Sequence, residues 1–149
     1  MGLKTIRFLA LLFTALALAP ALAHLLELPN KIDLSRDDYL MVQQIYRGWA
    51  LLGFVVVGAL LSNLVLTIVV RTKPRTFVLT LSAFLCILGT QVVFWTYTYP
   101  ANQETGNWTM LPANWLELRR QWEYSHAASA ALNLLALISL ILSALVEEE

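Results

Sequence analysis

The chain of 149 residues is poor in charge, in cysteine and in histidine. Charged residues make up only 13% of it, about half the share of a soluble domain. Cys86 is the one cysteine, so no disulfide forms within a single chain and redox compartment leaves no mark. Its place midway along an apolar run is that of a buried structural thiol. Ten basic residues balance ten acidic ones, and a net charge of zero excludes the basic footprint that nucleic acid requires. No low-complexity segment is present.

What the chain has in excess is apolar: 58% of residues are hydrophobic and the mean hydropathy is +0.65. So short a chain has too little interior to hide this excess, and much apolar surface must face lipid. Four apolar stretches stand out, at roughly 6–28, 49–70, 77–99 and 127–146. Each has the ~20 residues a helix needs to cross a hydrocarbon core. Barrel strands would be shorter and would alternate in polarity. The expected fold is all-α, one domain over 1–149 that forms an integral membrane four-helix bundle. Lys4 and Arg7, an apolar run and Ala21-Leu22-Ala23 also fit a cleavable secretory signal. Cleavage there would leave His24 as an N-terminus able to chelate copper through its amine and ring. The run continues through Leu25, Leu26 and Leu28, longer than a signal needs, so a retained first helix is expected.

The connection Arg71-Thr72-Lys73-Pro74-Arg75 holds three positive charges and no negative one, and Lys4 and Arg7 flank the first helix. The positive-inside rule therefore puts both termini in the cytoplasm, including the acidic Glu147, Glu148 and Glu149, and the connections at about 29–44 and 100–120 outside. Ser35 followed by Asp38 is capping-box-like. Nothing in 36–70 except tolerated glycines would break a helix, so one continuous helix of about 52 Å is expected, its first third extending beyond the outer face, either rising above the membrane or lying along its surface. Thr109 with Pro112 in the first turn would start a similarly extended fourth helix. Trp108, Trp115 and Trp122, with Tyr97, Tyr99 and Tyr124, suit an interfacial aromatic belt. Tyr46-Arg47-Gly48-Trp49 and Arg119-Arg120-Gln121-Trp122 echo each other, and Pro100-Ala101-Asn102 recurs as Pro112-Ala113-Asn114, a match too short to establish a repeat. Asn63, Gln91 and Asn133 are expected as interhelical hydrogen-bond glue, and Gly53, Gly58 and Gly89 as close-contact points.

The chain's two histidines fall in mirror-image pairs, His24-Leu25-Leu26-Glu27 and Glu123-Tyr124-Ser125-His126. Three residues apart, each histidine and glutamate share one helix face. The topology brings both pairs to the outer end, where Gln43, Tyr46, Arg47 and Asn102 approach, with Lys31 and Arg119 close above. Ionisable groups at membrane helix ends that face a bundle interior mark a functional site by default. Three readings are open. His24, Glu27, Glu123 and His126 could ligate one transition-metal ion, iron, copper, manganese or zinc. They could instead be a metal-free acid–base relay serving a quinol- or phenol-like molecule. Or pairs of the His24–Glu123 and Glu27–Arg119 kind could lock helix ends together.

The stretches Ala23-His24-Leu25-Leu26-Glu27-Leu28-Pro29-Asn30-Lys31, Gln43-Gln44-Ile45-Tyr46-Arg47-Gly48-Trp49, Pro100-Ala101-Asn102-Gln103, Asn107-Trp108-Thr109 and Arg120-Gln121-Trp122-Glu123-Tyr124-Ser125-His126-Ala127 carry a resemblance. The chain resembles the bacterial branch of domain-of-unknown-function family 1772, related to fungal anthrone oxygenases, which insert oxygen into a tricyclic phenolic ketone. The resemblance implies a four-helix protein of a bacterial inner membrane, with the family's tryptophan–histidine motif at Trp122 and His126. The expected function is a membrane oxidoreductase or oxygenase-like protein acting on a small aromatic or quinone-type molecule. His24, Glu27, Glu123 and His126 would be its catalytic groups, with Tyr46, Arg47, Asn102 and Trp122 binding substrate. The alternative is a non-enzymatic accessory or assembly subunit of a larger membrane complex, or of a homo-oligomer.

Overall fold

The computed structural model describes residues 2–146. Met1 and the acidic tail at 147–149, whose cytoplasmic placement the charge pattern suggested, lie outside the described residues. Six α-helices follow in order: α1 (Leu3–Lys31), α2 (Arg36–Gln43), α3 (Gly53–Val69), α4 (Pro74–Val93), α5 (Tyr99–Glu104) and α6 (Trp115–Leu145). Short 3-10 turns cover Gln44–Tyr46 and Trp49–Leu52, and a π turn, Phe94–Thr98, joins α4 to α5. No strand occurs among the described residues. Four helical spans, Leu3–Lys31, Trp49–Val69, Pro74–Glu104 and Trp115–Leu145, are long and apolar enough to cross a membrane. The protein is an all-α integral membrane four-helix bundle.

Two expected helices have different limits. The helix over 36–70 is not continuous, because Arg47 is extended and Gly48 sits at φ 90°, in the left-handed region. Only glycine adopts that conformation without a Cβ penalty, so Gly48 parts the outer α2 from the membrane-spanning α3. Ser35 does cap α2, its Oγ accepting from the Asp38 backbone N–H at 3.3 Å. Thr109 caps nothing; its hydroxyl donates to the Gly106 carbonyl at 2.9 Å. Instead α6 starts at Trp115 behind Asn114.

Helix α1 packs against α3 and α6, and α4 packs against the same two, so α1 and α4 stand on the diagonal of a closed ring. The membrane half of the core meets through small residues: Ala10, Ala59, Ala83 and Ala136 are all at 0% exposure. Without water to expel, membrane helices associate by such close packing. A Cβ built on Gly58 would stand 2.7 Å from the Phe13 ring, so this glycine is a true crossing point. Gly53 faces open space, and a Cβ at Gly89 would come no nearer than 3.4 Å to Leu132. Of the expected glue residues only Asn63 works between helices, its Nδ2 donating to Thr14 Oγ1 at 3.0 Å. Gln91 and Asn133 bond within their own helices, to Thr90 Oγ1 and the Ser129 carbonyl. Cys86 is half-buried against this core.

A second core fills the outer end, built from Tyr39, Ala101, Trp108, Leu111, Leu118 and Trp122. The tryptophans expected in an interfacial belt are therefore mostly interior. Trp108 and Trp122 are buried, and Trp115 packs beneath the Arg119 guanidinium at 4.8 Å. Tyr97, Tyr99 and Tyr124 are exposed as an interfacial belt requires, and so are Trp49 and Trp95.

The π turn has a local cause. Pro100 has no N–H to give the Thr96 carbonyl, and in an α-helix its ring would press on that carbonyl. The Tyr99 N–H reaches back to the Phe94 carbonyl instead. One extra residue is thereby absorbed before α5, in the manner of π turns near functional sites.

Candidate functional site

The first helix reaches far enough to set His24, Glu27 and Lys31 in its last two turns, and α6 enters beside it with Arg119, Trp122, Glu123 and His126. The two imidazoles meet. The His24 and His126 rings stack with centroids 4.1 Å apart and planes 29° from parallel. Around His24 stand three more rings, Tyr46 at 4.4 Å, Trp122 at 5.0 Å and Trp49 at 5.5 Å. Trp122 also lies edge-on to His126 at 4.3 Å. The result is an aromatic box enclosing two imidazoles. His24 Nδ1 and His126 Nε2 are buried there without a hydrogen-bond partner.

The carboxylates are held differently. Lys31 Nζ lies 3.2 Å from Glu27 Oε2 and 3.3 Å from Glu123 Oε1, bridging α1 to α6. It also donates to the Tyr46 hydroxyl at 2.8 Å, and that hydroxyl donates to Glu27 Oε2. Glu123, at 1% exposure, accepts from Tyr39 O–H at 3.0 Å. Its second oxygen, Oε2, has no partner. Burial raises the Tyr46 phenol above its ordinary range, and its hydrogen bond to Glu27 adds to the effect. Tyr39 is raised likewise, by burial and then by the Glu123 charge. Both phenols therefore stay protonated and act as donors to the carboxylates.

Supporting bonds fix the box. Asn102 Oδ1 accepts both indole N–H groups, from Trp122 at 2.9 Å and from Trp108 at 3.2 Å. Gly106, Asn107 and Trp108 all have positive φ, and the two non-glycines among them carry backbone strain. The loop is held by the Trp108 N–H on Thr105 Oγ1 at 3.1 Å and by Gln44 Nε2 on the Trp108 carbonyl at 2.8 Å. Arg119, 7% exposed, is not the ion-pair partner of Glu27; its Nη1 donates to the Leu34 carbonyl at 2.8 Å.

The structure thus brings together His24, Glu27, Tyr46, Asn102, Trp122, Glu123 and His126. It does not bring in Arg47, which is exposed and donates to Gln44 Oε1 at 2.7 Å. Lys31, Tyr39, Trp49 and Trp108 join the site without having been singled out as functional. For Lys31 a signal existed, since it stands four residues after Glu27 on a helix, the spacing of an ion pair.

The residues present do not fit a metal ion. The Lys31 ammonium already occupies the space between the carboxylates, so the cationic position is taken. Stacked imidazoles lie in nearly parallel planes, and their nitrogens do not converge on a point about 2 Å from each. Among the described residues no group of three or more histidine, cysteine, aspartate or glutamate side chains is arranged to hold a metal. No family model, curated protein or solved structure matches the chain.

Proposed function

We propose that the protein is a membrane oxidoreductase, oxygenase-like in its use of dioxygen, acting on a small aromatic molecule of quinol or phenol type. The observation that supports it is the stacked pair of His24 and His126, each with an unpartnered nitrogen inside a box of tyrosine and tryptophan rings. Flat rings and partner-seeking nitrogens suit a planar ligand that carries hydroxyl protons. Two imidazolium cations at this separation would repel strongly in a low-dielectric site, so the pair favours the neutral, proton-accepting form. For a quinol the balance is simple. Its two hydroxyl protons pass one at a time through an imidazole nitrogen to dioxygen, which takes up the two electrons, and the products are the quinone and hydrogen peroxide. Glu27 and Glu123, clamped by Lys31, act as the fixed frame that keeps the rings in register, rather than as ligands.

The same clamp is what an accessory subunit would use to lock its helix ends, and that second reading makes both histidines packing residues. Quinol-dependent oxygen uptake in nanodiscs separates the two. Positioned proton transfer contributes roughly 100- to 10,000-fold, so His126→Gln and His24→Gln are each expected to cut the rate by about 100-fold or more with folded yield retained. Unchanged uptake in both variants, or none in the wild type with any quinol or phenol, would leave the accessory reading standing. We further propose that the membrane is a bacterial inner membrane and that the site opens on its outer side, with Arg71, Lys73 and Arg75 in the cytoplasm.

A further inference from the structure

Beside the aromatic box, on the lipid-facing flank of α1, lies an apolar groove of about 530 Å³. It is shallow and open along one side, the shape of a channel against lipid rather than of an enclosed pocket. Leu16, Ala19 and Ala23 form one wall, and Gly48, Trp49 and Leu52 the other. Its origin is the break in the second membrane helix. Gly48 in the left-handed region has open space where a Cβ would stand, and Trp49–Leu52 winds as a 3-10 turn before α3 begins at Gly53. Ala19 and Ala23 are too short to fill the gap. The groove runs down α1 from Ala23 to Leu16, about 10 Å at 1.5 Å per residue.

The groove is continuous with the site through one side chain. Trp49 forms part of its wall, and the same indole stands edge-on to His24 at 5.5 Å and to Tyr46 at 5.0 Å. Ala23 is the residue immediately before His24. With 36% exposure Trp49 is the least buried ring of the box, hence the one freest to turn aside. A molecule lying in the groove would have its upper end at the imidazole pair and its lower end among the lipid-facing side chains of a membrane span.

We infer that the groove seats the hydrocarbon tail of a lipid-borne quinol, with Trp49 as the gate through which its ring reaches His24 and His126. This rests on the proposed function and narrows its substrate class from small aromatics in general to quinols carrying a long tail. The groove is apolar along its length and opens toward hydrocarbon, so it matches a tail and offers nothing to a charged or sugar-bearing group. Lipid is as apolar as the groove, so the preference comes from the close fit of the tail along the groove walls, which keeps the ring at the gate, rather than from hydrophobic transfer.

The test is quenching of tryptophan fluorescence by two quinones, in full-length protein in nanodiscs. One has a decyl tail and the other is the same ring without a tail. The wild type is expected to favour the tailed compound by about tenfold, close to 1.4 kcal/mol. Ala19→Phe fills the groove from an exposed position, and Leu52→Phe fills it from the opposite wall without adding a tryptophan. Each is expected to reduce the preference to about twofold or less while binding of the tail-less compound is unchanged. A preference that survives in both variants overturns the groove proposal but leaves the site reading intact, because the tail-less ring still binds. Failure of either quinone to bind the wild type overturns both. Partitioning into the disc is the same for every variant, so it does not imitate the expected loss.

Discussion

Lys31→Met should be among the most damaging single substitutions in the outer half of the protein. Lys31 is 3% exposed and, among the described residues, is the one lysine or arginine paired with both Glu27 and Glu123. Methionine keeps the length and the apolar stem but leaves Glu123, itself 1% exposed, with the Tyr39 hydroxyl alone. Removing one partner of a buried ion pair costs about 3–5 kcal/mol, because the other charge is stranded. Glu27 adds little to this, as its side chain is 37% exposed and water screens it. At about 2–4 °C per kcal/mol for a chain of this size, the melting temperature in detergent should fall by on the order of 10 °C. Adding Glu123→Gln to Lys31→Met removes the stranded charge, so the double variant should recover more than half of the loss. Arg47→Met is the control: its guanidinium is exposed and bonds only to a neighbouring glutamine, so the change should stay within ~0.5 kcal/mol. An unchanged melting temperature in Lys31→Met, or a double variant no better than the single one, would refute the clamp.

Asn102→Leu strands two buried indole N–H groups on Trp108 and Trp122; a loss of roughly 1–3 kcal/mol and a changed near-ultraviolet tryptophan dichroism are expected. Gly58→Ala drives a methyl into the Phe13 ring and should cost about 1–3 kcal/mol, with Phe13→Leu in the same chain restoring most of it; thermal denaturation of the three proteins decides. In a Cys86→Ala background, a cysteine at the exposed Met110 should react with an impermeant thiol reagent in intact cells and one at Thr72 should not; the opposite pattern would reverse the membrane orientation.

The four spans were legible because apolar length alone identifies a membrane helix, and the juxtaposition of His24 with His126 followed from counting crossings. Where the reading departed from the structure, one residue's geometry had outweighed a pattern. Gly48 looks like any tolerated helix glycine until its φ is known. Trp108, Trp115 and Trp122 look interfacial by type and spacing, yet Asn102, brought round by the π turn, draws two of them inward. The sequence showed Lys31 and Arg119 as equivalent charges above the site. Only the packing shows that α1 carries Lys31 between two carboxylates, while Arg119 is taken by a backbone carbonyl and two aromatic faces.

The π turn at Phe94–Thr98 also bears on how this chain tolerates changes of length. Such a turn takes up a single inserted residue, so the helix beyond it keeps the rotation of an uninterrupted α-helix. Deleting one of the five would leave α5 in phase but press the Pro100 ring onto the carbonyl four residues before it. A residue inserted in the regular part of α4, where no such turn takes it up, would instead rotate everything beyond it by about 100°. The Asn102 side-chain oxygen would then swing away from α6, and both indoles would lose the atom that orients them. A one-codon insertion in the middle of an apolar helix, harmless to hydropathy and to membrane insertion alike, would thus dismantle the aromatic box from a distance.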